Sequence, residues 1–275
     1  MKLRLHISPC PNDTFMFDAL INGRIDTQGL EFEAGFEDIE NLNDRALNEG
    51  TDICKISCAV LPEITSRYAL LHSGGALGRG NGPLLVGREG ADFSKLPGPA
   101  AGIPGPLKVA IPGRHTTANL LMSRLYPHIT DKPSYLFSDI APAVLRGECV
   151  AGVLIHEGRF TYREKGLTLI ADLGAEWERR TGLPLALGGI VVSRKLPAAT
   201  GLLVESLVRQ SIEYALAHPE ASAAFVRRHA RELSDEVTRR HIEMFVNDFS
   251  IALGAEGERA VRELTGLMAE KIFIR

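Results

Sequence analysis

The sequence predicts an α/β protein of two lobes with a ligand cleft between them, on three observations. Strand-like and helix-like segments alternate through the first two-thirds of the 275 residues, which is the pattern of sheets covered by helices. A stretch rich in proline and glycine, 96–106, interrupts that alternation and reads as a surface loop. From Gly201 onward the pattern turns wholly helical. A chain of this length is comfortable for two lobes. The first is read as 1–86 plus 193–275, the second as 87–192.

The elements follow in order. Residues 3–8 alternate, with Leu3, Leu5 and Ile7 on one face of a strand. Residues 14–21 bring Phe15, Met16 and Leu20 to one helical face, and 30–34 alternate again. The 38–48 segment is an amphipathic helix with Ile39, Leu42, Ala46 and Leu47 at helical spacing and Gly50 just past its end. A strand at 52–57 and a helical turn at 59–66 come next. Strands at 68–72 and 83–86 flank the glycine-rich 74–82. In the second set, 108–111, 134–137, 150–155 and 185–192 are strands, and 117–125 and 139–146 are helices. The C-terminal helices, about 201–217, 219–231, 234–247 and 256–270, are separated by Pro219, Ser234 and Gly254. The alternation predicts mostly parallel sheets. It also predicts two crossings, near 83–88 and 187–194, with the C-terminal helices returning to the first lobe. Open α/β sheets bind ligands at the C-terminal ends of strands, which would face the cleft.

Composition removes several function classes. A net charge of −3 argues against a nucleic-acid footprint or a polybasic membrane surface. Aromatic residues make up 6%, too few for a base-stacking platform. No apolar run approaches the roughly 20 residues needed to cross a bilayer. Charges and His6 interrupt the apolar positions of the first strand, so no export signal is read there and a cytoplasmic protein is expected. Four cysteines, Cys10, Cys54, Cys58 and Cys149, form no C-x-x-C pair, so reduced thiols are expected rather than a disulfide framework or zinc site.

Four segments could carry chemistry. In Ser8-Pro9-Cys10-Pro11-Asn12-Asp13-Thr14-Phe15 a strand ends and Asn12, Asp13 or Thr14 can cap a helix. Such a helix start is a ready anion site or simply a capped helix. In Lys55-Ile56-Ser57, alternation points Lys55 and Ser57 the same way, so they could present an ammonium and a hydroxyl together. A lone strand-end lysine is more often solvated. In the run from Ile111 to Asn119, a glycine turn leads into a helix at Thr116 and Thr117, where N–H groups and hydroxyls can converge on an anion. Thr116 can equally be a plain N-cap, and the P-loop spacing is absent. Last, the apolar Val153-Leu154-Ile155 ends in His156, Glu157 and Gly158. Histidine is the side chain best placed to take a proton near neutral pH, although most isolated histidines are structural. His115 is its rival beside the glycine turn.

Together these segments resemble one family, the 1,4-dihydroxy-6-naphthoate synthases, over nearly the whole chain. The carriers are the Ser8–Phe15 opening, Lys55-Ile56-Ser57, the Ile111–Asn119 run and Ile155-His156-Glu157-Gly158-Arg159. The resemblance implies a type 2 periplasmic-binding-protein-like fold. It also implies a lyase of menaquinone biosynthesis that converts cyclic dehypoxanthinyl futalosine to 1,4-dihydroxy-6-naphthoate and releases the sugar remnant. It makes His156 the general base and Lys55, Ile56, Ser57, Thr116 and Thr117 substrate contacts, with Asn12 added from the opening motif. The chain departs from the family in the 96–106 loop, which is longer.

That chemistry moves no hydride and transfers no phosphoryl group. It therefore calls for no dissociable cofactor, in keeping with the lack of metal-ligand spacing and dinucleotide fingerprint. The expected partner is a small-molecule substrate, with no nucleic acid and no membrane; oligomeric state is not legible. Three alternatives remain at this stage. They are a non-catalytic solute-binding protein, a chorismate dehydratase of the same route, and the effector-binding lobes of a regulator.

Overall fold

The computed structural model describes residues 1–90, 107–230 and 233–274, so the 96–106 loop lies outside the described residues. In chain order the strands are β1 (Lys2–Ile7), β2 (Glu31–Phe36), β3 (Ile53–Ser57), β4 (Tyr68–Leu70), β5 (Ala76–Gly78), β6 (Leu84–Arg88), β7 (Val109–Ala110), β8 (Ala151–Leu154), β9 (Leu167–Asp172) and β10 (Leu185–Ser193). The chain divides into two compact units, Met1–Gly78 with Leu183–Arg275, and Arg79–Gly182.

The first unit holds a sheet in the order β2-β1-β3-β10-β4, with β5 also paired to β10. β1 runs parallel to both β2 and β3, whereas β10 runs antiparallel to β3, β4 and β5. Central β3 is buried at all five positions and edge strand β2 only partly, as expected when both faces of a sheet are covered. One covering helix, Pro11–Ile21, is buried from Pro11 to Leu20 and packs against the helices Ala198–Ala217 and Pro219–His229. A helix buried all round must find partners for its polar side chains. Asp18, fully buried, accepts from Asn22 Nδ2 at 2.7 Å, Arg24 Nε at 2.7 Å and Ser222 Oγ at 3.0 Å. Phe15, Met16 and Phe17 join Leu3, Leu5, Ile7, Val204, Leu207 and Ile212 in one apolar cluster.

The second unit holds a sheet in the order β7-β8-β6-β9. β7 is parallel to β8, and β6 is antiparallel to β8 and β9. Leu84, Val86, Ala110, Ile140, Val144 and Leu154 form its core. Helix Ile140–Leu145 lies so close to β8 that a Cβ at Gly152 would stand 2.4 Å from Ile140 Cγ2.

The mostly parallel sheets thus each contain one antiparallel strand, and it is the strand that follows a crossing: β6 in one sheet, β10 in the other. Both strands hydrogen-bond wholly within the sheet they enter. For that reason the units change at Gly78/Arg79 and Gly182/Leu183, rather than at 86/87 and 192/193.

Other differences are local. The first helix starts at Pro11, because proline is preorganised for the first helical position. The glycine-rich 74–82 contains β5. The 134–137 strand is reduced to a single bridge, Ile111–Ser134, followed by a 3₁₀ turn at Phe137–Asp139. β9 and helix Leu173–Thr181 occupy a stretch to which the sequence assigned no element. None of the four cysteines is in a disulfide, and burial pushes the Cys54 and Cys58 thiols up to about 12. No described helix is long and apolar enough to cross a membrane.

The C-terminal segment is tied to the first sheet by a bridge from Leu70 to Phe273 and by Ile274 N–H donating to Leu70 O at 3.1 Å. His72 reinforces this contact. Its ring stacks on Phe273 at 4.9 Å and meets Glu205 at 3.2 Å and Glu258 at 3.6 Å. The hydrogen bond to Glu205 raises its pKa above the ordinary 6.5, against an opposing effect of burial. A raised folded-state pKa means stability that is fully present below the ordinary 6.5 and lost as pH rises through the raised folded-state pKa. The stability gap between wild type and His72→Gln, read as urea midpoints, should therefore be larger near about pH 6 than near about pH 9. A gap that does not change with pH would show that His72 acts by packing alone.

Candidate active site

β1 and β3 run parallel, so both deliver their C-terminal residues to the same edge of the first sheet, where α/β proteins place ligands. Ser8 follows β1, and Ser57 ends β3. Helix Pro11–Ile21 begins at this edge. Its N-cap is Cys10, without a side-chain cap bond. Asn12, Asp13 and Thr14 therefore lie inside the first turn and none of them is the cap expected from the sequence. Thr14 Oγ1 turns back to donate to Cys10 O at 3.0 Å.

Asp13 is fully buried, and its carboxylate is saturated. One oxygen accepts from Ser8 N–H at 3.1 Å and Ser8 Oγ at 2.8 Å; the other accepts from Asn12 Nδ2 and Lys55 Nζ, both at 2.8 Å. Lys55 is therefore no solvated strand end. Its side chain is 7% exposed and its ammonium is held by a carboxylate rather than presented alone. An ammonium has three donors, and Asp13 is its one acceptor among the described residues. β10 approaches the β3 backbone closely beside the lysine stem. A Cβ at Gly188 would stand 2.5 Å from Ile56 O and 3.5 Å from Lys55 Cε.

Ser57 shares the face of Lys55, as alternation requires, and is 3% exposed. Its N–H donates to Asn43 Oδ1 at 2.8 Å, and its Oγ accepts from Asn43 Nδ2 at 3.1 Å. Ile56 is fully buried and points to the opposite face, so only its backbone is on the side of Lys55 and Ser57.

In the second unit, Thr116 is the N-cap of helix Thr117–Leu125, accepting from Asn119 N–H at 3.2 Å while its hydroxyl donates to Gly113 O at 2.9 Å. Both functions of that hydroxyl are consumed by the turn. Thr117 is the first residue of the helix, and both threonines are 3% exposed. His115 lies in the turn before the helix.

β8 stops at Leu154, two residues before His156. His156 adopts a left-handed backbone with φ of 53°, one of two positive-φ residues other than glycine among those described. Its ring meets the Phe137 ring edge-on at 5.1 Å. Because the strand has ended, alternation does not decide where Glu157 points; Glu157 is instead the N-cap position of the short helix Gly158–Thr161. The turn is anchored from behind by Arg159, which donates to Gly82 O and pairs with Asp172 at 3.0 Å. Asp172 in turn caps helix Leu173–Thr181 through Ala175 N–H at 3.0 Å. Left-handed backbone costs free energy for residues other than glycine, and such strain concentrates at functional positions.

A groove of about 650 Å³ in the same unit lies at the other end of helix Thr117–Leu125, lined by Tyr126, His128, Asp172, Glu176, Arg179 and Arg180 among others. It contains none of the sequence-predicted site residues. Its two arginines are engaged by Glu176, whose carboxyl their hydrogen bonds hold at about 2.

The sequence reads Asp13 only as a candidate cap and Arg159 only as part of the histidine run, and it does not single out Asn43. Asn43 had a visible signal. It stands four residues after Ile39, on the stripe that helical spacing buries, and a polar side chain there must find a partner.

Comparison with known proteins gives these positions a setting. The menaquinone biosynthesis family matches residues 3–270. A 1,4-dihydroxy-6-naphthoate synthase of Thermus thermophilus is 48% identical over 95% of this chain and 92% of its own. One from Streptomyces coelicolor is 42% identical over 95% and 91%. Among solved structures, a protein from Archaeoglobus fulgidus superposes with a TM-score of 0.85 at 32% identity, covering 96% of this chain and 95% of its own. The periplasmic aliphatic sulphonate binding protein of Escherichia coli superposes with a TM-score of 0.63 at 13% identity, covering 98% and 87%. That likeness shows the periplasmic-binding-protein fold alone. The chain belongs to the menaquinone biosynthesis family.

Proposed function

We propose that this chain carries out the 1,4-dihydroxy-6-naphthoate synthase reaction, with His156 as its general base. It converts cyclic dehypoxanthinyl futalosine to 1,4-dihydroxy-6-naphthoate and releases the sugar remnant, in the cytoplasm. The observation that carries this reading is the 48% identity to an enzyme of that name across nearly the full length of both chains. A solute-binding role has only the fold in its favour, at 13% identity. Turnover of cyclic dehypoxanthinyl futalosine by the purified protein tests the choice. Absence of naphthoate would favour the binding role.

Carbon–carbon cleavage by elimination needs a base for one proton and donors for the oxygen on which charge develops. Formation of the aromatic ring supplies driving force. His156 suits the first task by its residue type and its strained, anchored turn. Ser57 and Lys55 suit the second, since each keeps donor capacity after its internal bonds are made. Thr117 and the helix start behind it suit an anionic or strongly polar group of the substrate, because helix N-termini favour negative charge. Thr116 supports that turn, Ile56 contributes backbone, and Asn12 acts through Asp13. No nucleic acid is called for, in keeping with the net charge of −3.

His156→Asn should lower kcat by about 10²–10⁴-fold. Asparagine tolerates a left-handed backbone better than most residues, so the thermal midpoint should hardly move and product binding should persist. His115→Asn should cost far less. The reverse ranking would place the base in the turn before helix Thr117–Leu125.

The two threonines should separate. Thr117→Val should raise KM and weaken product binding. Thr116→Val should instead destabilise the protein by about 1 kcal/mol through the lost cap, visible as a lower urea midpoint. Equal binding by wild type and Thr117→Val would remove Thr117 from the substrate contacts.

A further inference from the structure

We infer that Asn43 is a positioning residue that aims the Ser57 hydroxyl proton at an acceptor oxygen of the ligand. The inference rests on the reading that Ser57 touches substrate, and concerns what makes that contact directional. The orientation of the Asn43 amide is decided by Ser57 itself. A backbone N–H can only donate, so the Asn43 atom 2.8 Å from it is the carbonyl oxygen. The amide nitrogen is then the atom 3.1 Å from Ser57 Oγ. An amide nitrogen can only donate, so Ser57 Oγ is the acceptor and its proton points elsewhere.

No described residue takes that proton. Ser57 sits at the N-cap position of the 3₁₀ turn Cys58–Val60, where a serine commonly accepts from the turn, yet it makes no side-chain cap bond. Asn43 is fully buried and Ser57 is 3% exposed, so the pair is shielded from competing water. A buried hydroxyl held as an acceptor on one side offers a fixed donor on the other. The ligand group it recognises is therefore an acceptor, such as a carboxylate, carbonyl or enolate oxygen, and not an amine or amide N–H.

The backbone around Asn43 fits this role. Helix Ile39–Asp44 is fixed at its start by Asp38, whose carboxylate accepts from Glu40 N–H at 2.9 Å. It continues directly into a π-helical turn, Arg45–Glu49. Such turns carry one extra residue and recur beside functional sites. Here the turn begins two residues after Asn43.

The test is a double-mutant cycle on Asn43 and Ser57, with 1,4-dihydroxy-6-naphthoate as the probe and its affinity measured by calorimetry beside kcat and KM. Asn43→Asp is nearly isosteric. Its carboxylate still accepts from the Ser57 N–H but accepts from the hydroxyl too, turning the proton inward. Product affinity should fall about tenfold, as for Ser57→Ala. In the Ser57→Ala background the same change should cost less than about twofold, because the hydroxyl it acts through is gone. If Asn43→Asp does not fold, Asn43→Ala enters the same cycle. It releases the hydroxyl to rotate, and its smaller loss should likewise vanish in the Ser57→Ala background. Losses that multiply, or wild-type affinity in the Asn43 variants while Ser57→Ala binds weakly, overturn the inference. Wild-type affinity in Ser57→Ala instead removes Ser57 from the ligand contacts.

Discussion

The arrangement at the edge of the first sheet depends on one buried carboxylate. Asp13 lies in a helix covered on all sides, so it has no access to water and must be satisfied by the protein. Its four donors come from the end of β1, the first turn of the helix and the middle of β3. Meeting that demand brings three separate pieces of chain to one place and decides where Lys55 lies. A buried carboxylate that loses its cation typically costs about 3–5 kcal/mol, so the pairing is as much a condition of folding as of chemistry. Ser57, two residues along the same strand, inherits its position from this arrangement.

The second unit solves a related problem with backbone rather than charge. His156 stands where the chain leaves β8 and turns through a left-handed residue, a conformation that must be held from outside. Arg159 does the holding, linking the turn to Gly82 and to Asp172, which also caps the next helix. Close approach is built into the same region: a Cβ at Gly174 would stand 2.6 Å from Gly82 Cα. Stiff surroundings of this kind suit the proton transfer proposed for His156, because small displacements weaken such a step.

Much of this was legible in the amino-acid sequence where local physics decides the outcome. Helix Thr117–Leu125 was read to the residue, since Thr116 as cap and Leu121 and Met122 as buried positions are all local signals. The alternation of 52–57 placed Lys55 and Ser57 on one face. The pairing of Lys55 with Asp13 was not legible, because it joins residues 42 apart and nothing nearby announces it. The early end of β8 was hidden for a different reason. Apolar character continues through Ile155, and a left-handed backbone is too uncommon in any residue other than glycine for His156 to announce it. β9 was missed because an edge strand buries little of itself: Leu167 alone of its six residues is fully covered.

The antiparallel course of β10 also has a consequence for the order in which the molecule is made. β10 lies between β3 and β4 in the first sheet, yet it is synthesised only after the whole of Arg79–Gly182. On the ribosome, the second unit is a continuous stretch that can be complete while the first sheet still lacks its inner strand. Until Ser193 has emerged, β3 has β1 on one side and an open edge on the other, the kind of edge that invites wrong pairing. The residues carried by β3 therefore reach their final environment late, in a closure between distant parts of the chain, which is the slow kind of contact to form. Chain growth and sheet growth run in different orders in this protein, and the strand that bears Lys55 and Ser57 is the one left waiting.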